Sequence, residues 1–534
     1  MKGLSIDYAT LLPALSPVAG LVLVLLADLF APRGRRLPWG IAGLASAASA
    51  AATLPGLGLG GGSTRETFCI IPTALPAGGG RLPSVEGLPR VCLWSADALG
   101  STLQLAAAVS ALVCIALGWP RVRRRRPEAG TREPVEAVLL LAALAGTVVV
   151  AASRDVGTWL VALELATLPV IALVALSGRR SSAVGATQLL VTSLVSFALL
   201  VLGVALWFAA TGSPFLTPDA ALSSAGALSA TGAPTNVVLP SVSSGLVALA
   251  TVLVLAGVGF KLSLVPFHAW TPTAYAGSSV SVATLLATLS KVAALAALLV
   301  VLRAVAALGL PGLLAIAVLA SLSMTLGNIM ALRQDDVVRL LAWSTVAQAG
   351  WVVLPLVSVS ALGVGASATY VLTYVVATLV AFAVVAVTLR DHPTEGRTLA
   401  AYEGLWQRSP WRAGALVLAL TSLAGLPPGI IGLVGKVTAL RPVLAEGWVW
   451  LAVIAAVNAV IGVAVYLRWL RAVITEREVS ATGDDADAEG TTGGTAGRTV
   501  RAARRPVLVA GLALSAAVLV VVSVQPDLLL RLLG

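Results

Sequence analysis

The chain has 534 residues, 58% hydrophobic and only 11% charged, and its mean hydropathy of +0.96 lies far above that of water-soluble domains. Lipid tolerates neither open sheet edges nor irregular exposed backbone, so apolar runs this long have to be helices, and the lack of period-two alternation excludes a membrane barrel. The basic excess, 35 Lys and Arg against 24 Asp and Glu, falls in short links between apolar runs, where it sets topology rather than binding nucleic acid.

Apolar runs bounded by Gly, Pro and charge predict fourteen spans, near 9–30, 38–58, 97–118, 135–152, 156–176, 183–209, 245–268, 280–304, 311–332, 337–357, 361–389, 412–440, 448–470 and 506–530. The first reaches spanning length without a small-residue cleavage site and is expected to stay as a helix. Cys69 and Cys92 share the Gly/Pro-rich loop after the second span and show no metal-ligand spacing, while Cys114, inside the third span, reads as a packing residue. The tract "RVRRRR", 121–126, sits directly between two spans and reads as a cytoplasmic anchor against acidic lipid headgroups.

With the N-terminus outside, Arg33, Arg35 and Arg36, the 121–126 tract, Arg179 and Arg180, Arg333 and Arg339, Arg390, Arg397 and Arg408, and the group from Arg471 to Arg505 all face the cytoplasm, whereas the 210–245 loop has no Lys or Arg. This alternation supports the helix count and places both termini outside. It also places the loop with Cys69 and Cys92 outside, where the two thiols could pair as a disulfide. The stretch 475–505, acidic, then Gly/Thr-rich, then basic, reads as a linker before the last helix.

Four ionisable residues fall in mid-span: Glu164, Lys261, Lys291 and Lys436. A charge at that depth costs about 2.5–3.5 kcal/mol on insertion scales, so each is a functional candidate. Glu164 and Lys261 could serve as a structural ion pair, but Lys291 and Lys436 have no acidic partner at membrane depth. Burial drives a lysine towards neutrality, where it can take up and release a proton. Pro266, Pro427 and Pro428 are expected to break helices close to two of these lysines, and broken helices at membrane depth are tolerated where the freed backbone lines a wet cavity.

The reading is an all-α multi-pass membrane protein. Residues 1–134 hold three helices and an outer loop, 135–304 and 305–471 hold two five-helix units, 472–505 is a cytoplasmic linker and 506–534 carries the last helix. Five being odd, consecutive copies of the unit must be inverted.

The segments "FKLSLVPFHAWTPTAYAGSSVSVATLLATLSK" (260–291), "SMTLGNIMALRQDDVVRLLAWSTVAQAGW" (323–351) and "TSLAGLPPGIIGLVGK" (421–436) resemble the antiporter-like membrane subunits of respiratory complex I. The K-L-S-x-V-P-F-H-x-W-T-P arrangement is nearest the N-type branch (NADH-quinone oxidoreductase subunit N) rather than types L and M, and similarity covers about 135–470. The resemblance implies two inverted half-channels joined by a polar axis. It assigns proton translocation to Glu164 paired with Lys261 on a broken helix, to Lys291 between the halves and to Lys436 on the exit side. It leaves His268 open as a relay or a hydrogen bond at the break. It also implies that this chain holds no cofactor, with NADH, FMN, iron–sulfur clusters and quinone handled by partner subunits, and that its neighbours are other antiporter-like and small membrane subunits in a bacterial cell membrane. Where many relatives have an acidic residue and a histidine, this chain has Thr273 and Gln348, so the resemblance gives neither a titrating role. The alternative reading on the same fold is a subunit of a multisubunit cation/proton antiporter.

Overall fold

The computed structural model describes residues 6–30, 36–57, 64–70, 91–120, 132–211, 214–216, 244–307, 314–393, 395–475 and 506–533. The 121–126 tract, most of the 475–505 linker and most of the 210–245 loop lie outside the described residues. Thirteen described helices are long and apolar enough to cross a bilayer. The remaining crossing is a pair of shorter helices, Pro410–Ala424 and Ile430–Ala445.

Val280–Leu302, Val337–Val357 and Ala361–Asp391 form the centre and are almost wholly buried through their most apolar stretches, whereas Arg180–Thr211 is mostly uncovered and turns Leu190, Val191, Leu194 and Val195 outward. This follows from composition. Helices that are apolar all round have no polar face to give to water, so position in the bundle rather than amphipathicity decides what they touch. Acidic N-caps fix several starts: Asp97 accepts from the Gly100 amide, Asp155 from that of Thr158 and Asp336 from those of Val338 and Arg339.

The loop between the second and third spans adds a small β element to the helical architecture. Arg65–Ile70 pairs antiparallel with Val91–Ala96, Cys69 stands opposite Cys92, and the two are joined by a disulfide. The Arg154 amide donates to the Leu93 carbonyl (2.9 Å) and the Leu216 amide to the Arg154 carbonyl (2.7 Å), while Trp94 bridges Ser153 and Asp155 bridges Phe215. A Cys92→Ser change releases a closure across 23 residues, worth about 2–4 kcal/mol of local stability. Faster amide exchange in 65–70 and 91–96, with the spans still assembled, is the expected result.

Two crossings are broken, and each is the fourth of its predicted set of five: Ser244–Leu262 followed by Trp270–Gly277, and Pro410–Ala424 followed by Ile430–Ala445. Both first halves end in one motif. The Leu264 amide donates to the Gly259 carbonyl and Ser263 to Phe260; likewise Leu426 donates to Thr421 and Gly425 to Ser422. These paired 6→1 and 5→2 bonds need a left-handed residue between them, supplied by Ser263 (φ 69°) and Gly425 (φ 78°).

The breaks fall where the sequence reading expects them, at Pro266 and at Pro427 and Pro428; what the structure adds is the capping residue at which each first half ends, since the helices stop at Leu262 and Ala424, just before the prolines. Pro266 lies in the turn that follows Ser263. Pro427 and Pro428 lie in the turn between Gly425 and Gly429, and there the Pro428 carbonyl accepts the Ile430 amide (2.9 Å) at the start of the next half-helix. In this second break the halves overlap side by side. A Cβ on Gly432 would run into the Ser422 carbonyl, so only glycine permits that approach.

Candidate functional site

A helix that stops in mid-membrane leaves its last carbonyls without intrahelical partners, and its C-terminal end carries partial negative charge. In both breaks a lysine supplies what is missing. Lys291 Nζ donates to the Lys261 carbonyl (2.9 Å) and to Ser263 Oγ (2.6 Å), and lies 4.8 Å from the centre of the Trp270 ring. Lys436 Nζ donates to the Ala424 carbonyl and lies 5.4 Å from the Trp351 ring centre. The Lys291 and Lys436 residues are 3% and 7% exposed, so water replaces neither set of contacts.

Glu164 and Lys261 meet as the sequence reading expects, with Glu164 Oε1 2.7 Å from Lys261 Nζ, which also donates to Thr167 Oγ1 at 3.1 Å. Lys261 therefore touches Glu164 through its side chain and Lys291 through its backbone. The two charged groups sit at opposite ends of one residue. The break is held open by further polar contacts: the Val265 amide donates to Ser323 Oγ (2.9 Å), Trp270 Nε1 to the Phe260 carbonyl (2.9 Å), and Thr271 Oγ1 to Ser263 Oγ (2.7 Å).

Next to Lys436 and its Trp351 neighbour lies a column of uncharged polar groups that the sequence reading missed. Tyr370 OH donates to Gln348 Oε1 (2.5 Å), Gln348 Nε2 donates to Tyr466 OH (2.9 Å), and Tyr466 OH shares a 2.6 Å bond with Ser344 Oγ. Tyr374 OH meets Thr345 Oγ1 at 2.9 Å. Tyr370 stacks on Trp351 (centroids 5.7 Å, 15° between planes), the same ring whose face Lys436 approaches. Tyr275 OH and Thr378 Oγ1 are buried beside this column, Tyr275 near Thr345 and Thr378 near Tyr374. A faint signal for this column was in the sequence: Tyr370, Tyr374 and Thr378 recur at i, i+4 and i+8 of one helix and therefore share a face.

Two flagged positions have plainer surroundings. His268 is half-buried with its ring 5.3 Å from that of Trp343 and its side chain beside the Pro266 backbone; its own backbone carbonyl accepts the Thr271 amide. Thr273 Oγ1 donates to Gln188 Oε1 at 2.7 Å. Cys114 is a free, fully buried thiol in the packed interior.

A family model described as NADH:quinone oxidoreductase/Mrp antiporter, TM, matches residues 153–462. Among curated proteins, the chain is 39% identical to NADH-quinone oxidoreductase subunit N of Salinispora tropica over 476 residues, 87% of this chain and 84% of that one. It is 35% identical to subunit N 2 of Streptomyces griseus over 490 residues, with 87% and 82% covered. A chain of respiratory complex I from Thermus thermophilus with bound aureothin superposes with a TM-score of 0.70 at 27% identity, covering 97% of this chain and 98% of that one. A chain of the Mrp complex from a Dietzia species gives 0.74 at 20% identity, covering 99% and 97%, a likeness of fold alone.

Proposed function

Since the chain belongs to the NADH:quinone oxidoreductase/Mrp antiporter membrane family, we propose that it is the proton-translocating membrane subunit of an NADH-quinone oxidoreductase, the complex its curated relatives are named for. One observation carries the reading: a buried lysine side chain docks at each of two mid-membrane helix breaks, and a column of neutral polar groups lies beside the second. Redox chemistry is assigned to partner subunits that hold NADH, FMN, iron–sulfur clusters and quinone, because this sequence has no Gly-rich dinucleotide fingerprint and no cysteine cluster. The neighbours are taken to be other antiporter-like and small membrane subunits. The chain is placed in a bacterial cell membrane with both termini outside, which the arginine distribution supports.

In this reading, quinone reduction elsewhere perturbs the Glu164–Lys261 pair, and the change reaches Lys291 through the Lys261 backbone contact. Lys291 then yields its proton to the column, and Lys436 releases one outward. At about 10 Å and an effective dielectric near 20, one unit charge shifts its neighbour by roughly 1.7 kcal/mol. Moving a proton against roughly 150–200 mV takes about 3.5–4.6 kcal/mol. A single charge step is too small, so the four charged groups act together, with hydration of the column contributing.

The test is Lys436→Ala in the assembled complex. NADH-driven proton uptake or release should fall to near background while the complex still assembles and carries its redox centres. An unchanged ratio of protons to electrons would overturn the reading, and so would sodium-dependent exchange by the isolated chain in liposomes, which favours the antiporter alternative.

A further inference from the structure

We propose that Ser263 is a positioning residue that holds Lys291 through both of its protonation states, and that its hydroxyl is retained for this at a cost in backbone strain. The inference rests on the proposed function and extends it to a residue outside the four charged groups.

Ser263 is the left-handed residue that closes the Ser244–Leu262 helix, with φ 69°. Glycine is the preferred residue there, because a Cβ in that conformation costs roughly 1 kcal/mol. The second break has glycine at the equivalent place, Gly425 (φ 78°), with the same pair of capping bonds. The fold therefore works with glycine at this position in one half and carries a strained serine in the other. What differs is the hydroxyl. Ser263 Oγ is fully buried, accepts from Lys291 Nζ at 2.6 Å and accepts from Thr271 Oγ1 at 2.7 Å.

A hydroxyl can turn from acceptor to donor by rotating one bond. While Lys291 is an ammonium, Ser263 Oγ accepts from it. When Lys291 gives its proton to a water of the polar column, Nζ keeps two N–H bonds and gains a lone pair. The Ser263 hydroxyl hydrogen then swings towards that lone pair, and no bond to the serine oxygen is made or broken. The Thr271 hydroxyl keeps the second lone pair of Ser263 Oγ occupied and so restrains the rotor. The Lys261 carbonyl, the other oxygen on Lys291, is acceptor-only: it takes an N–H from either form but can give nothing to the lone pair of the neutral amine. The serine hydroxyl answers that lone pair, so both states of Lys291 are satisfied.

The discriminating variant is Ser263→Gly. If Ser263 only caps a helix, glycine relieves the strain and leaves pumping unchanged or improved. The proposal expects NADH-driven pumping to fall about two- to tenfold, the loss of one net hydrogen bond, with a displaced pH profile, and expects Ser263→Asn, which tolerates the left-handed backbone and restores a polar group, to recover part of it. Unchanged pumping and pH profile in Ser263→Gly overturns the proposal, and so does failure of that variant to assemble, which would assign Ser263 to folding. Lys291→Met in parallel separates the two levels: if it pumps normally the proposed function fails, and if it does not pump while Ser263→Gly does, only this inference fails.

Discussion

A Lys291→Met complex is expected to assemble at least as well as the native one and yet to lose proton pumping. The residue is 3% exposed, and no carboxylate among the described residues pairs with it; its partners are a carbonyl, a serine and the face of Trp270. Placing a charged lysine there costs about 2.5–3.5 kcal/mol, which an unbranched thioether of similar length avoids. Part of that gain is offset where the Lys261 carbonyl and Ser263 Oγ lose their donor, at about 1–3 kcal/mol each unless water reaches them. The two effects nearly cancel in stability, but they do not cancel in pumping, because Met has no proton to give. The check is the level of assembled complex and its melting temperature set beside the proton-to-electron ratio. A marked loss of assembly with the residual complex pumping normally would make Lys291 a structural residue.

The second large effect concerns Glu164 and Lys261. Glu164→Leu strands the Lys261 ammonium, 6% exposed, with Thr167 as its remaining side-chain partner. Breaking one side of a buried pair costs about 3–5 kcal/mol, whereas replacing both sides with apolar residues is often neutral. Glu164→Leu with Lys261→Met should therefore recover most of the stability lost in Glu164→Leu alone. Neither variant should pump. Thermal unfolding of the purified complex in a double-mutant cycle measures the coupling. A double variant no more stable than Glu164→Leu would mean that the pair contributes nothing the rest of the bundle does not supply.

The architecture was legible in the sequence because hydrocarbon imposes a blunt rule. A run of about twenty apolar residues has to be a helix, and each of the fourteen predicted spans falls on helical residues, most of them on one helix with ends within a few residues. Charges at depth are equally legible, since so few residues can occupy that position without purpose. Three things were not. The β-hairpin lies outside the membrane, where that rule does not operate. The breaks themselves lie at the expected prolines, but the caps that end the first half-helices were not legible, because a Schellman cap made with serine leaves no glycine to read at Ser263. The column of Tyr370, Gln348, Tyr466 and Ser344 joins three helices and consists of neutral residues that are ordinary one at a time. Hydrogen bonds across distant segments have no period in sequence; the face shared by Tyr370 and Tyr374 was the only trace.

At the outer rim, the disulfide-closed hairpin is tied to the Ser153–Asp155 turn, and that turn to Pro214–Leu216. The third to sixth crossings are thereby stitched together at one end. Transporters that expose their cargo by swinging one helix bundle against another need free ends to swing. Here swinging one of these crossings away from the next would tear the backbone bonds of the rim, so this group of helices is built to move as one body.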